Sequence, residues 1–423
     1  MWQVLTSAWA LLFGMFLLML GNGMQGTLLG IRGEIEGFDT FAMSIVMSAY
    51  FVGFLGGSRM APRMIRRVGH VRVFAALASA ISAVMILYPT FPYVWLWVLG
   101  RVLIGFCFSA VYVTAESWLN NAADNSNRGQ ALSLYMIIQT LGIVTAQAML
   151  LVAEPDGFIL FVIPSVLVSV AITPILLSIS PTPAFETTKP MSLKELMSFS
   201  PLGCVGMFIL GGIFSAQFGM SSVYGAEAGL SVPQISTFVA TFFIGAVVLQ
   251  YPIGWISDRM DRRYLVIIVS IIGGVGCILG MLKGDVFSLL LVSAFVIGGM
   301  ANPLYSLLIA HTNDFLEHDD MAAASGGLIF INGLGAILGP MITGWMMGTS
   351  LGPGGFYLFT AVLFGAMIVY AGYRSTVRST LPNEETGSYV PMGPTATTVA
   401  MEIAQEYAIE TELEDEDATE TPS

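Results

Sequence analysis

Charge is what this sequence lacks most. Only 10% of its 423 residues are Asp, Glu, Lys or Arg, against about 25% in a soluble globular domain, so the folded surface cannot face water on all sides. Histidine and cysteine are also scarce, with three of each. Cys107, Cys204 and Cys277 lie far apart within apolar stretches, which argues against a disulfide framework or a metal cluster; they read as small core residues. His70, His311 and His318 fall at loop ends. No metal-ligand spacing, nucleophile elbow or phosphate loop is present, so neither catalysis nor a cofactor is expected. With a formal net charge of -12, nucleic acid is not an expected partner. Met1 to Ser7 carries no basic residue, and no small-residue cleavage site clearly ends the first apolar run, which therefore reads as retained.

What is there is apolar: 55% of the chain. Roughly 20 apolar residues cross a bilayer as a helix. Hydropathy marks twelve runs of that kind, at 8-30, 41-61, 71-88, 93-117, 130-152, 158-180, 203-224, 235-256, 264-282, 286-310, 322-347 and 355-374. Turn clusters such as Tyr88-Pro89-Thr90-Phe91-Pro92 and Glu154-Pro155-Asp156-Gly157 separate them. The runs are continuous rather than alternating, unlike barrel strands. The expected class is therefore an all-α membrane protein with twelve transmembrane helices. Its expected divisions are a six-helix bundle at 1-180, a linker at 181-202, a second six-helix bundle at 203-374 and a tail at 375-423. That tail holds eleven acidic residues against one basic residue, Arg378, and is expected to be mostly disordered, with a weak amphipathic helical pattern over 397-413. Thirteen of the sixteen Lys and Arg residues fall on the side of the chain ends, which predicts cytoplasmic termini and a multi-pass protein of the bacterial inner membrane.

The halves are related to each other. At an offset of 193, Gly105 meets Gly298, Tyr112 meets Tyr305, Gly142 meets Gly335 and Gln139 meets Asn332; at 192, Gln25 meets Gln217. This predicts a duplicated six-helix unit with a polar site between the copies, one layout used by transporters. The loop after the eighth run, Gly254-Trp255-Ile256-Ser257-Asp258-Arg259-Met260-Asp261-Arg262-Arg263, resembles the signature of the major facilitator superfamily, Gly-x-x-x-Asp-Arg-x-Gly-Arg-Arg, with Asp261 in place of the second glycine. The first-half loop departs from it, with Arg66 where the family usually has aspartate and Pro62 where it has the leading glycine. Arg101-Val102-Leu103-Ile104-Gly105 resembles the family's Arg-x-x-x-Gly motif, associated with coupling in proton-coupled members. Glu116-Ser117-Trp118-Leu119-Asn120 together with Asn302-Pro303-Leu304-Tyr305 is similar to the bacterial YcaD-type subgroup. The Gly-Pro motif that many drug-proton antiporters carry in the fifth helix is absent, since that stretch reads Gln139-Thr140-Leu141-Gly142.

Ionised residues inside a bilayer are costly and mark function by default. Arg101 lies two turns into the fourth run and needs a carboxylate, carbonyls, cavity water or an anionic ligand. It reads either as a substrate or coupling residue or as a structural one. At 100° per residue it shares a face with Tyr112 and Glu116. Glu116 is a proton site or a satisfied interfacial glutamate. Asn22, Gln25 and Arg32 form a second stripe on the first helix, with Arg32 at the mouth, either solvated or pointing inward. Gln217 and Tyr224 share a face of the seventh helix, and Asn302, Tyr305 and Asn332 complete the expected cavity with Gln139. Gly254, Asp258, Arg259, Arg262 and Arg263 are the expected inner gate.

The resulting expectation is a monomeric secondary transporter moving a small polar, anionic solute across the lipid bilayer by alternating access, either coupled to protons or, with Glu116 the one marginal carboxylate, running as facilitated diffusion or anion exchange. An exporter of lipophilic compounds and a non-transporting receptor or assembly factor on the same fold are the alternatives.

Overall fold

The structure, a computed structural model, describes residues 2-122, 128-177, 191-377 and 389-406. Twelve helices among these are long and apolar enough to cross a membrane. They are α1 Ala8–Ile35, α2 Thr40–Val68, α3 His70–Thr90, α4 Val94–Asn120, α5 Gly129–Met149, α6 Ile159–Leu176, α7 Pro201–Glu227, α8 Val232–Ser257, α9 Arg262–Lys283, α10 Phe287–Asn313, α11 Ala323–Met347 and α12 Gly354–Val377. Several extend past their apolar runs. Helix α2 continues through Arg63, Arg66 and Arg67 to Val68 before Gly69, at φ +86, turns the chain into α3. The hydrogen-bonded turns persist where the bilayer core ends, because a polar residue interrupts hydropathy without interrupting a helix. Between the halves, the short helix Leu193–Phe199 is capped by Ser192, whose Oγ accepts from Glu195 N at 3.3 Å. Residues 178-190, which include the first ten of the linker, lie outside the described residues.

The two six-helix bundles repeat one another pair by pair. In the first, α1 packs on α5 and α6, α2 on α4, and α3 on α4 and α6; in the second, α7 packs on α11 and α12, α8 on α10, and α9 on α10 and α12. Small residues hold the tightest pairs, as expected where helices associate by close backbone approach. A Cβ on Gly105 of α4 would collide with the Tyr50 carbonyl of α2, and one on Gly298 of α10 with the Phe242 carbonyl of α8. Gly53 and Gly245 make the reciprocal approaches, to Val102 O and Phe295 O. The sequence offset thus corresponds to equivalent helix-helix contacts.

An even number of crossings puts the start of α1 and the end of α12 on one face, called here the terminal face. Toward the opposite, far face the bundles touch directly. Thr40 bonds Glu227, Ser48 bonds the Ile337 carbonyl, and the backbones at Gly30 and Gly344 lie against Ser222 and Ser44. Nearer the terminal face, Arg59 of α2 stacks on Phe330 of α11 at 4.1 Å. Between the bundles on that side lies residues 389-406, of which 398-406 are helical. A mostly disordered tail from 375 onward was expected; the structure instead buries Met392, Ala396, Ala400, Met401, Ile403 and Ala404. The cause is local composition: only Glu402 and Glu406 of the tail's eleven acidic residues fall in this stretch. The remaining tail residues, 378-388 and 407-423, lie outside the described residues.

Candidate functional site

A central cavity of about 580 Å³ separates the bundles. Its first-half wall carries a cluster of polar side chains. Arg101 is 3% exposed; its Nη1 donates to Gln25 Oε1 at 2.8 Å, its Nη2 to Met47 Sδ at 3.7 Å, and its Cζ lies 4.8 Å from the centre of the Tyr50 ring. Its Nε has no partner, and no carboxylate lies within ion-pair distance of it among the described residues. The polar chain continues from Gln25 Nε2 to Asn22 Oδ1 at 3.2 Å and from Asn22 Nδ2 to Tyr112 OH at 3.0 Å. One arginine, two amides and one phenol thus form a connected network that fixes the guanidinium. Beside it, Thr27 Oγ1 donates to Gln147 Oε1 at 3.0 Å.

The opposite wall is aromatic and amide-bearing: Phe214, Phe218 and Phe243 face Phe51 and Phe54 across the cavity, with Asn302, Asn332 and Gln250 among them. Asn332 is partly committed, its Nδ2 donating to Met207 O at 2.9 Å. On the terminal side Glu116 is fully buried. Its Oε1 accepts from Tyr135 OH at 3.3 Å and its Oε2 from Thr397 N at 3.3 Å and from the Thr397 hydroxyl. These partners are neutral. Arg101 and Glu116 lie about 22 Å apart along α4 at 1.5 Å per residue, and both line the one cavity.

Of the residues expected in the cavity, Asn22, Gln25, Arg101, Gln139, Asn302 and Asn332 line it, as does Glu116. Five others do not. Arg32 is held at the far face, where it pairs with Glu36 at 2.6 Å and donates to the Pro155 and Asp156 carbonyls; it neither points inward nor stands solvated. Tyr112 stands behind Asn22. Tyr305 lies behind Phe214, with ring centres 6.0 Å apart. Gln217 and Tyr224 part company because a π-helical turn, Ala216–Met220, interrupts α7. The wider turn shifts the 100° register on which the shared face depended. Tyr224 therefore enters an aromatic cluster with Phe238, Phe356 and Tyr357, while Gln217 is buried with its Nε2 unpartnered.

The expected gate residues do not act as one cluster. Asp258 Oδ1 accepts from Tyr389 N at 3.0 Å, and Gly254 leaves room for the Tyr389 ring, which a Cβ would approach to 2.6 Å. Arg259 stacks on Trp255 at 4.1 Å. Arg262 is buried and pairs with Asp314 at the end of α10, also reaching Ala310 O at 3.3 Å. Arg263 pairs with Asp261 at 2.9 Å, and Asp261 also caps α9 by accepting from Arg263 N at 3.0 Å. The aspartate in place of the family's glycine is therefore a helix cap.

Residues not singled out from the sequence also shape the site: Tyr50, Thr27, Gln147, Gln250 and the aromatic wall. An isolated glutamine in an apolar run was the available signal for Gln147 and Gln250. Tyr50 and the phenylalanines gave none, because an aromatic in such a run reads as core. No group of His, Cys, Asp and Glu that could hold a metal forms among the described residues.

A cavity between two repeated six-helix bundles is the arrangement of a membrane transporter. The family model of the Major Facilitator Superfamily matches residues 11-224 and 202-402, and the chain belongs to that family. Among its curated relatives, the MFS-type transporter YcaD of Escherichia fergusonii is 27% identical over 341 residues, covering 80% of this chain and 88% of the relative. A second MFS-type transporter, Ent638_1421 of Enterobacter sp. strain 638, is 26% identical over 346 residues, with the same coverage of both chains. Among solved structures, the nucleoside transporter NupG (D323A mutant) superposes with a TM-score of 0.71 at 15% identity, covering 86% of this chain and 99% of that one. A bacterial homologue of the human lysosomal transporter Spinster gives 0.68 at 13% identity, covering 98% of each chain. At these identities the structural matches show the fold.

Proposed function

We propose that this protein is a secondary transporter of a small organic anion with an apolar body, working by alternating access. The observation that carries the reading is Arg101: a buried, permanently charged guanidinium on the cavity wall whose anchors among the described residues are an amide, a thioether and a ring face. Its unpartnered Nε beside Nη2 offers the two-donor edge that matches a carboxylate, sulfonate or phosphate. The aromatic wall opposite suits the rest of such a solute. Solved structures of the same fold include a nucleoside transporter and a fucose:proton symporter; the anionic preference comes from Arg101 alone.

Glu116, the carboxylate at the other end of the cavity, is proposed as the proton-carrying group. The distribution of Lys and Arg supports a cytoplasmic terminal face; we propose a bacterial inner membrane as the protein's location and the monomer as its working unit. The aromatic wall favours one competing reading, an exporter of lipophilic cations.

Thermal unfolding of the purified protein against a panel of organic anions and a panel of lipophilic cations separates the two. Saturation at 100 times the dissociation constant stabilises by about 2.7 kcal/mol. Shifts from anions support the proposal and nominate solutes for flux assays in proteoliposomes. Shifts from cations alone overturn it in favour of the exporter.

A further inference from the structure

Residues 389-406 follow the last membrane helix, and neither bundle needs them to complete its six helices, yet they are tied to both. On the first bundle, Thr397 donates to Glu116 through its backbone N and its hydroxyl, and Thr395 Oγ1 donates to Gln139 Oε1 at 3.3 Å. On the second, Tyr389 N donates to Asp258 at 3.0 Å and Tyr389 OH accepts from Gln250 Nε2 at 2.9 Å. Met392 exchanges bonds with Ser306, N to Oγ at 2.8 Å and Oγ to O at 3.2 Å. Gln405 Nε2 donates to Ser325 Oγ at 2.8 Å. The segment also forms part of the cavity wall itself, from Tyr389 through Ala396 to Ala400 and Ala404.

We propose that residues 389-406 are a tethered plug that fills the terminal-face mouth of the central cavity, holds α4 and α5 apart from α10 and α11 there, and must withdraw for solute to pass. Three features support a removable plug over a fixed strap. It satisfies side chains on opposite bundles, so any motion bringing α4 and α5 toward α10 and α11 at this face has to displace it. Its seat contains Glu116 and Gln139, groups of the transport cavity, so it competes with whatever those groups bind. Its connection to α12 is the eleven residues 378-388, a length of chain that reaches about 40 Å when extended. Withdrawal therefore requires no unfolding of α12. Where solute transit is concerned the plug rests on the transport reading; its occlusion of the cavity does not.

Two measurements on the full-length chain, neither needing a known solute, decide the matter. In the first, Gly254→Cys is combined with Tyr389→Cys, positions where a Cβ on Gly254 lies 2.7 Å from the Tyr389 ring carbon Cδ1, within reach of disulfide geometry after substitution. The folded protein is expected to cross-link on mild oxidation; folded protein that does not cross-link overturns the seating. The second introduces Gln139→Cys and follows its labelling by a sulfonated maleimide, alone and with Met401→Asp and Ala404→Asp. Those aspartates would be buried without a partner in the seated plug. Labelling should accelerate on the order of tenfold or more as the seated state is depopulated. Equal labelling in the two proteins overturns the plug, and so does slower labelling. If the anion panel gives no shifts while labelling accelerates, the solute proposal fails and the plug stands.

Discussion

Replacing Arg101 with glutamine should leave the ligand-free protein as stable or more stable while removing anion binding. The intact guanidinium receives little in return for burial: a hydrogen bond to Gln25 at 2.8 Å, a thioether contact and the Tyr50 ring at 4.8 Å. A hydrogen bond to a charged group is worth about 1.5-3 kcal/mol and a desolvated cation-π contact about 2 kcal/mol. Against these stands the cost of an arginine in a membrane helix, at least about 2.5-3.5 kcal/mol, with several kcal/mol for full burial of the ion. Glutamine is neutral and carries no ionic cost, so the ligand-free protein should be unchanged or up to about 2 kcal/mol more stable. A bound anion would lose its buried counter-charge, which costs about 2-5 kcal/mol. At 1.4 kcal/mol per decade the dissociation constant should rise about 30-fold to a few thousand-fold. Arg101→Lys keeps the charge without the planar fork and should fall between. The assay is thermal unfolding of each variant in nanodiscs, with and without a titrated anion that shifts the parent. A ligand-free loss of several kcal/mol would make Arg101 a structural strut, and anion shifts that survive in the glutamine variant would remove it from the binding site.

Glu116→Gln keeps an acceptor for only one of its two partners, Tyr135 on Oε1 or Thr397 on Oε2, and cannot carry a proton, so flux should persist while losing its response to an imposed pH gradient; a response of unchanged size in proteoliposomes refutes the assignment. Arg262→Ala removes the cation of a buried ion pair with Asp314 and should destabilise by about 3-5 kcal/mol. Adding Asp314→Asn should recover part of that loss, and a double variant no more stable than the single one counts against the pair. Gly105→Ala drives a Cβ into the Tyr50 carbonyl and should cost about 1-3 kcal/mol. Gly365→Ala, which meets nothing within 4 Å, should be neutral or stabilising. Thermal unfolding of the two glycine variants side by side checks both.

The spans were legible because a bilayer imposes a length, and the repeat was legible because close backbone approach admits only glycine at positions such as 105 and 298. The α1 and α4 stripes were legible for a related reason: a polar side chain has few tolerable places in an apolar helix. The α7 stripe was not, since a π-helical turn leaves no mark on hydropathy and shifts every residue after it. Arg32 looked like a mouth residue because nothing in its own helix reveals the carbonyls at Pro155 and Asp156, 123 and 124 residues away in sequence. Averaging the charge of residues 375-423 concealed the one stretch, 389-406, whose alanines, methionines and threonines suit an interior. Composition describes a segment as a whole, whereas burial is decided over a few turns.

The same duplication that makes the scaffold symmetric leaves the charges on one side, and this asymmetry bears on mechanism. Gly105 and Gly298, Tyr112 and Tyr305, Gln25 and Gln217 are matched across the halves, but the counterpart of Arg101 is Ala294 and that of Glu116 is Ile309, both buried. Tyr50, whose face receives the guanidinium, is matched by Phe242. The mechanical contacts were thus kept in both copies, while the arginine and the carboxylate of the cavity both stand in the first. A solute bound by its charge to Arg101 would stay with the first bundle, and the second, contributing rings and amides, could rock against it without breaking an ion pair. That division keeps the costliest contact out of the moving interface. It also places Glu116 where the first bundle meets residues 389-406, so that proton loading, plug release and closure of the terminal face would all act on one carboxylate.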